Sequence, residues 1–267
     1  VLIGGKPAAR VGDLATCIGP PDIVMTGAFT VLVGGMPLAR ITDATAHGGL
    51  VSAGDVTVLV GGAAGVPGGS LGNALSSRLA GALTSPVGSG DASDVALVVP
   101  EVAKLPPHVL QAMLKDGVKV VVARGSVTDH LAQLKGVRPR GWPPGSTWDS
   151  VPGLYDKAQR EVVIATIGHG TPAGAHVPAT GEGHGCVNLV IHEAVHGYDS
   201  TATPPRSSSA AFSAARNADI ASLGPYETQA GSAGPEETFA ESAARYFGGD
   251  PTDAARHPNL HDYWKKH

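Results

Sequence analysis

The chain repeats itself at its start, and the repeat limits what its first part can fold into. Val1-Leu2-Ile3-Gly4-Gly5-Lys6-Pro7-Ala8-Ala9-Arg10-Val11-Gly12-Asp13 returns as Val31-Leu32-Val33-Gly34-Gly35-Met36-Pro37-Leu38-Ala39-Arg40-Ile41-Thr42-Asp43, with Pro7 falling on Pro37. A partial third copy, Val58-Leu59-Val60-Gly61-Gly62, ends the series. Each copy reads as a short β-branched strand, a glycine turn and a proline-led return, which is a small all-β unit. The pattern stops at residue 62, so the remainder is a second object.

Residues 63–93 are rich in Gly, Ala and Ser, with Pro67 and Pro86 among them, and read as a linker holding a short helix over Leu71 to Leu83. Residues 94–267 then form the larger domain, in a chain of 267 residues that has room for two. Val95 to Val99 and Val118 to Ala123 read as strands, Val109 to Lys115 as a helix ending at Gly117, and Glu161 to Ile167 as a further strand. Leu189 to Tyr198 reads as another helix, giving an α+β architecture.

That helix carries His192-Glu193-Ala194-Val195-His196. Positions i and i+4 share a helix face, so the two imidazoles can aim at one metal, while Glu193 is placed to act on water there. Asn188 to Ile191 before the motif and Gly197 after it suit a buried helix with a stop. A catalytic zinc takes three protein ligands and leaves a position open. Pro235 to Phe247 reads as a helix, with Pro235 in its first turn and Gly248-Gly249-Asp250-Pro251 ending it. On it Glu237 and Glu241 lie one turn apart; Glu237 is the expected third ligand and Glu241 an acceptor that orients His192 through its other ring nitrogen. A third histidine ligand would need Gly at Asp199 and His at Ala202, so the layout is that of a glutamate-ligand, gluzincin-like peptidase.

Residues from about Leu105 to Phe247 resemble the anthrax lethal factor-like family of zinc metallopeptidases, which implies a zincin-type fold. The motifs are Arg140-Gly141-Trp142, Thr147-Trp148-Asp149, Gly153-Leu154-Tyr155, Gly181-Glu182-Gly183-His184-Gly185, the His192–His196 signature with Asp199, and Glu237-Thr238-Phe239-Ala240-Glu241. The resemblance implies His192, His196 and Glu237 as zinc ligands and Glu193 as catalytic base. It also implies a tyrosine ahead of the ligand glutamate that donates a hydrogen bond to the developing oxyanion. Tyr226 is the only tyrosine between Tyr198 and Tyr246 and takes that place. Asp199 is expected to support the ligands from behind.

The N-terminal repeats closely resemble the PAAR family, whose members form a small β-cone. The resemblance implies a tip that caps the trimeric valine-glycine repeat spike of a type VI secretion system, often with a toxin fused behind it. Cys17 follows Asp13 by the same interval as His47 follows Asp43, so the two occupy equivalent positions. The family implies a structural tip zinc held by His and Cys, chemistry that Cys17 and His47 can supply. The chain opens on Val1 inside a repeat, and the 1–62 domain is therefore expected to be truncated at its N-terminus.

A net charge of −4 with scattered Lys and Arg argues against non-specific nucleic-acid binding, and so against a zinc nuclease. Cys17 and Cys186 lie too far apart to suggest a disulfide framework, and Cys186 reads as a packed residue at a helix start. No apolar run is long enough for a membrane span, and no cleavable signal peptide is visible. His184 is expected at the surface, and the tail with His257, His261 and His267 is expected to be exposed. The chain thus reads as a secreted effector: a spike-tip protein carrying a zinc metallopeptidase toxin into a target cell, where it hydrolyses amide bonds in protein or peptidoglycan. Resemblance to antibacterial effectors implies a cognate immunity protein. The alternative is a structural spike adaptor whose C-terminal domain binds rather than cleaves; Glu193 speaks for the enzyme, because a binder has no use for the base.

Overall fold

The repeated glycine pairs make the turns of the N-terminal hairpins. In a computed structural model, which describes residues 1–17, 21–41, 43–55, 58, 60, 70–139 and 144–267, β1 (Leu2–Ile3) pairs antiparallel with β2 (Lys6–Pro7). Likewise β3 (Leu14–Ala15) pairs with β4 (Asp22–Ile23), and β5 (Ala28–Val33) with β6 (Met36–Leu38). Gly4 and Gly5 have φ of +57° and +76°, and Gly34 and Gly35 have +58° and +79°. Two consecutive positive φ values make a type I′ turn, whose twist suits a two-residue hairpin and which glycine enters without strain. Arg140-Gly141-Trp142, Leu59-Val60-Gly61-Gly62 except Val60, and the start of the expected linker lie outside the described residues.

The copies also repeat their polar contacts. Asp13 accepts from the Arg10 backbone N–H and guanidinium, both at 2.9 Å, and Asp43 accepts from Arg40 in the same way at 2.6 and 3.1 Å. The copies join where Val11 N–H donates to the Pro37 carbonyl and Ala39 N–H to that of Ala9, each at 2.8 Å. Val11, Val24, Met25, Ala28, Val33 and Leu38 are buried, whereas Leu2, Leu14, Leu32 and Leu50 are exposed.

The chain divides into two compact units, Val1–Gly72 and Asn73–His267. The second begins within α1 (Ser70–Leu83) and continues through β7 (Thr84–Pro86), α2 (Ala92–Val102), α3 (Pro107–Lys115) and β8 (Lys119–Arg124). Next come β9 (Gly153–Asp156), β10 (Glu161–Thr166), α4 (Leu189–Asp199), α5 (Ala210–Asp219), α6 (Ala233–Gly248), α7 (Asp253–Arg256) and α8 (Pro258–Lys266). Its sheet runs β7-β8-β10-β9, with β7, β8 and β10 parallel and β9 antiparallel at the edge. Strand periodicity puts Val120, Val122, Val162 and Ile164 into the main core with the helices, and Val121 and Val163 into a smaller cluster on the other face with Val127, Leu131 and Val151. Among the described residues no helix is long and apolar enough to cross a membrane.

Three expectations change. Val95 to Val99 are helical, not a strand: Asp91 and Asp94 form a reciprocal capping box at the start of α2, and Val98 and Val102, one turn apart, are both buried. The later part of the expected 63–93 linker belongs to the second unit, because Ala80 and Leu83 are buried in its core and Thr84–Pro86 pairs with β8. The tail is not exposed: Leu260, Tyr263, Trp264 and His257 are buried.

Candidate active site

Two helices meet at the site. α4 starts where the Asn188 side chain accepts from Ile191 N–H at 3.0 Å, and it buries Leu189, Val190, Ile191, Ala194 and Val195. Gly197 does not stop this helix, which runs on to Asp199. A Cβ at Gly197 would lie 3.0 Å from Val118 Cγ1 and 3.1 Å from Val162 Cγ2, so the glycine lets the helix lie close against the sheet. α6 ends at Gly249, whose φ of +81° gives a left-handed cap with its N–H donating to Arg245 O. Small buried residues, Ala240, Ala243 and Ala244, let α6 pack near α4, with Phe239 in the aromatic core beside Phe212 and Trp264.

This packing gathers the chemistry. His192 Nε2 and His196 Nε2 are 3.2 Å apart, and Glu237 Oε2 is 3.4 Å from each of them. A tetrahedral site with ligand bonds of about 2.0–2.1 Å has ligand-to-ligand edges of roughly 3.3–3.4 Å, so the three donors fit a zinc ion. Glu237 Oε2 is also buried with no hydrogen-bond partner, as a donor reserved for a cation would be. On the far side of His192, Nδ1 faces Glu241 Oε1 at 3.4 Å. Burial opposes a charge on His192, yet Glu237, Glu193 and Glu241 push its pKa up to about 9. Burial likewise raises Glu237, but the two histidines outweigh it and bring it down to about 2. For Glu241 burial prevails over His192 and Arg245, and its pKa is raised. The pocket favours positive charge between its imidazoles and carboxylates.

The same cleft is lined by Glu193 and Tyr226, with Trp148, Leu154, Tyr155 and Lys157 along its walls. Edge strand β9 forms part of this wall. A Cβ at Gly153 would lie 2.8 Å from Leu189 Cδ1 and 3.2 Å from Glu193 Cγ, so β9 approaches α4 only because it has none. Burial, then the charges of Glu237 and Glu193, raises the Tyr226 phenol above its ordinary range, which keeps it a proton-bearing donor.

Other residues singled out in the sequence make different contacts. Asp199 is buried near the cleft, but its oxygens accept from Ser207 N–H at 2.7 Å and Ser207 Oγ at 2.6 Å, and no contact to a histidine is among those of the described residues. It pins the turn after α4. His184 is not a surface residue but part-buried in the cleft wall, with Nδ1 3.0 Å from Cys186 Sγ and Nε2 3.0 Å from Pro178 O. Cys186 is packed in the core as expected, and its thiol lies near His192 and Glu241; burial and the nearby acids raise its pKa, keeping it a neutral thiol. In the first unit Cys17 is exposed, and His47 Nδ1 lies 3.9 Å from Asp22 Oδ1. Neither belongs to a group of three metal donors among the described residues. His257 and His261 gather on Asp253, with Nδ1 atoms at 3.5 and 2.9 Å. The sequence reading passed over Glu227 and Arg245, a buried pair at 2.8 Å. The signal was present: Arg245 continues the i, i+4 stripe of Glu237 and Glu241, and Glu227 adjoins Tyr226.

Comparison with known proteins shows what the two units resemble. The family described as anthrax toxin lethal factor, N- and C-terminal domain, matches residues 73–264, and the PAAR motif matches residues 1–53. A Pro-Pro endopeptidase of Paenibacillus alvei is 35% identical over 62% of this chain and 72% of its own length. One from Clostridioides difficile is 33% identical over 61% of this chain and 69% of its own length. The solved structure of the Pro-Pro endopeptidase from Paenibacillus alvei aligns with a TM-score of 0.58 at 31% identity, covering 70% of this chain and 98% of that one.

Proposed function

The chain belongs to the anthrax toxin lethal factor family through residues 73–264 and carries a PAAR motif at its start, and from that premise we propose that it is a type VI secretion effector whose second unit is a zinc metallopeptidase of zincin fold. The observation that carries this reading is the triangle of His192, His196 and Glu237 donor atoms beside Glu193 in an open cleft. In it His192, His196 and Glu237 hold the metal, and Glu241 orients His192 through Nδ1. When bound, zinc supplies Lewis acidity toward the substrate carbonyl and lowers the pKa of water to about 7. Glu193 takes the proton from the attacking water and returns it to the leaving amine. Tyr226 donates its hydroxyl proton in a hydrogen bond to the oxyanion that develops on the carbonyl. Along the cleft the free edge of β9 offers backbone groups to an extended peptide.

The relatives are Pro-Pro endopeptidases, so a bond between two prolines is the first substrate class to test. The PAAR motif supports docking on the trimeric valine-glycine repeat spike and delivery into a target cell, where a cognate immunity protein would protect kin. Cys17 and His47 contribute to a tip zinc in this reading, although two ligands do not close a tetrahedral site and further donors are needed. The testing experiment incubates the full chain and Glu193→Gln with proline-containing peptides, whole-proteome digests and peptidoglycan peptides, and reads the products by mass spectrometry. Cleavage by wild type alone supports the peptidase. Equal toxicity of wild type and Glu193→Gln in a recipient cell would favour the adaptor reading, in which the domain only binds.

A further inference from the structure

We propose that Glu227 and Arg245 form a buried clamp that sets the position of Tyr226 at the site, an inference that rests on the reading of Tyr226 as the oxyanion donor. Tyr226 is about half exposed, at 51%, in a loop between α5 and α6. The next residue is the reverse: Glu227 is buried, and every polar atom it offers is engaged. Its Oε1 accepts from Arg245 Nη2 at 2.8 Å and its Oε2 from Gly224 N–H at 3.2 Å. Its carbonyl accepts from Arg216 Nη2 at 2.7 Å and lies 3.0 Å from Thr238 Oγ1, whose proton it shares with the Gly234 carbonyl at 2.7 Å. The Tyr226 carbonyl accepts from Gln229 Nε2 at 2.7 Å.

The anchors share a helix with the acids of the site. Thr238 adjoins Glu237, and Arg245 lies one turn beyond Glu241. A loop fixed to these points keeps its tyrosine in register with Glu237. Arg245 is braced in turn: its Nε lies 3.3 Å from Asp253 Oδ1, and Asp253 holds His257 and His261. A buried ion pair contributes little net stability compared with apolar packing of the same volume, so its value here is directional.

The test is a double-mutant cycle in the full, zinc-loaded chain, with Tyr226→Phe, Glu227→Gln and the two together, read as kcat, KM, zinc content and melting temperature. Glu227→Gln is chosen over a change at Arg245 because Arg245 also faces Asp253. The expected result is that Glu227→Gln lowers kcat by about tenfold with KM within about twofold and zinc content unchanged, while adding no loss to Tyr226→Phe. Thr238→Val, which removes the hydroxyl that faces the Glu227 and Gly234 carbonyls and accepts from Arg216 Nε, follows the same pattern more weakly and serves if the glutamine variant does not fold. Equal fold-losses of kcat in the wild-type and Tyr226→Phe backgrounds, or no loss at all, would overturn the clamp. A Tyr226→Phe variant with full kcat overturns the oxyanion role itself, and the clamp with it, while leaving the metal centre and Glu193 standing.

Discussion

Glu237 Oε2 stands 3.4 Å from His192 Nε2, across the packed faces of two helices that are far apart in the chain. The two groups hold each other in opposite charge states, with the glutamate pKa brought down to about 2 and the histidine pushed up to about 9. A divalent cation placed between the imidazoles would satisfy the same field and free both histidines to bind as neutral ligands.

Removing a ligand therefore removes the metal. Glu237→Ala is expected to lose bound zinc, read by elemental analysis after dialysis. Glu241→Gln is expected to keep zinc but weaken it by about 10–100-fold, because it alters only what orients His192. Full zinc retention by Glu237→Ala at nanomolar free metal would refute the ligand assignment.

Glu193→Gln should separate binding from chemistry. The amide keeps the size of the side chain but cannot take a proton, so kcat on any cleaved peptide falls by about 10²–10⁴-fold while zinc content and melting temperature stay near wild type. A variant retaining more than a tenth of wild-type kcat would exclude Glu193 as the base.

The two glycines at the contact between α4 and the sheet are predicted to act differently. At Gly197 an added Cβ meets Val118 and Val162 at 3.0 and 3.1 Å, on the packed side of α4. Gly197→Ala should destabilise by about 1–3 kcal/mol in urea unfolding. At Gly153 the Cβ would meet Leu189 and Glu193, so Gly153→Ala should cost activity as well as stability. A fully active Gly153→Ala variant would show that β9 need not approach Glu193 so closely.

Acid should weaken the second unit partly through Asp94. Burial alone would raise its pKa, but Thr166, the Asp91 N–H and Arg124 outweigh burial and lower it. A carboxylate with a lowered folded pKa contributes stability that is present above its unfolded value, near pH 4, and is lost as pH falls through the folded value. Asp94→Asn is thus expected to be about 2–3 kcal/mol less stable at pH 7, with the gap narrowing toward pH 3. Denaturant titrations at several pH values check this, and a gap independent of pH would count against it.

Much of the site was legible in the chain because helix geometry is local. His192, Glu193 and His196 follow from i and i+4 on one helix, and Glu237 with Glu241 from the same spacing on another. The repeats were equally plain, since Gly-Gly between short apolar runs specifies a type I′ hairpin. The second unit's start is hidden because Gly, Ala and Ser dominate residues 63–93 and read as a linker; Ala80 and Leu83 are nonetheless buried in the core, and Thr84–Pro86 pairs with β8. Val95 to Val99 looked like a strand because β-branched residues favour one, and the Asp91–Asp94 capping box with burial of Val98 and Val102 overrode that preference.

The sequence by itself determined which residues share a helix face, where the hairpins turn and which donor types are available for a metal. Only the tertiary structure decided that α4 and α6 face each other closely enough to bring Glu237 within 3.4 Å of both histidines. It also turned Asp199 to Ser207 and drew His257 and His261 onto Asp253. The physical reason is that the approach of α4 and α6 depends on packing distances, with Gly197 close against the sheet and small buried alanines on α6. Such distances are sums over a whole core and leave no periodic signal along the chain.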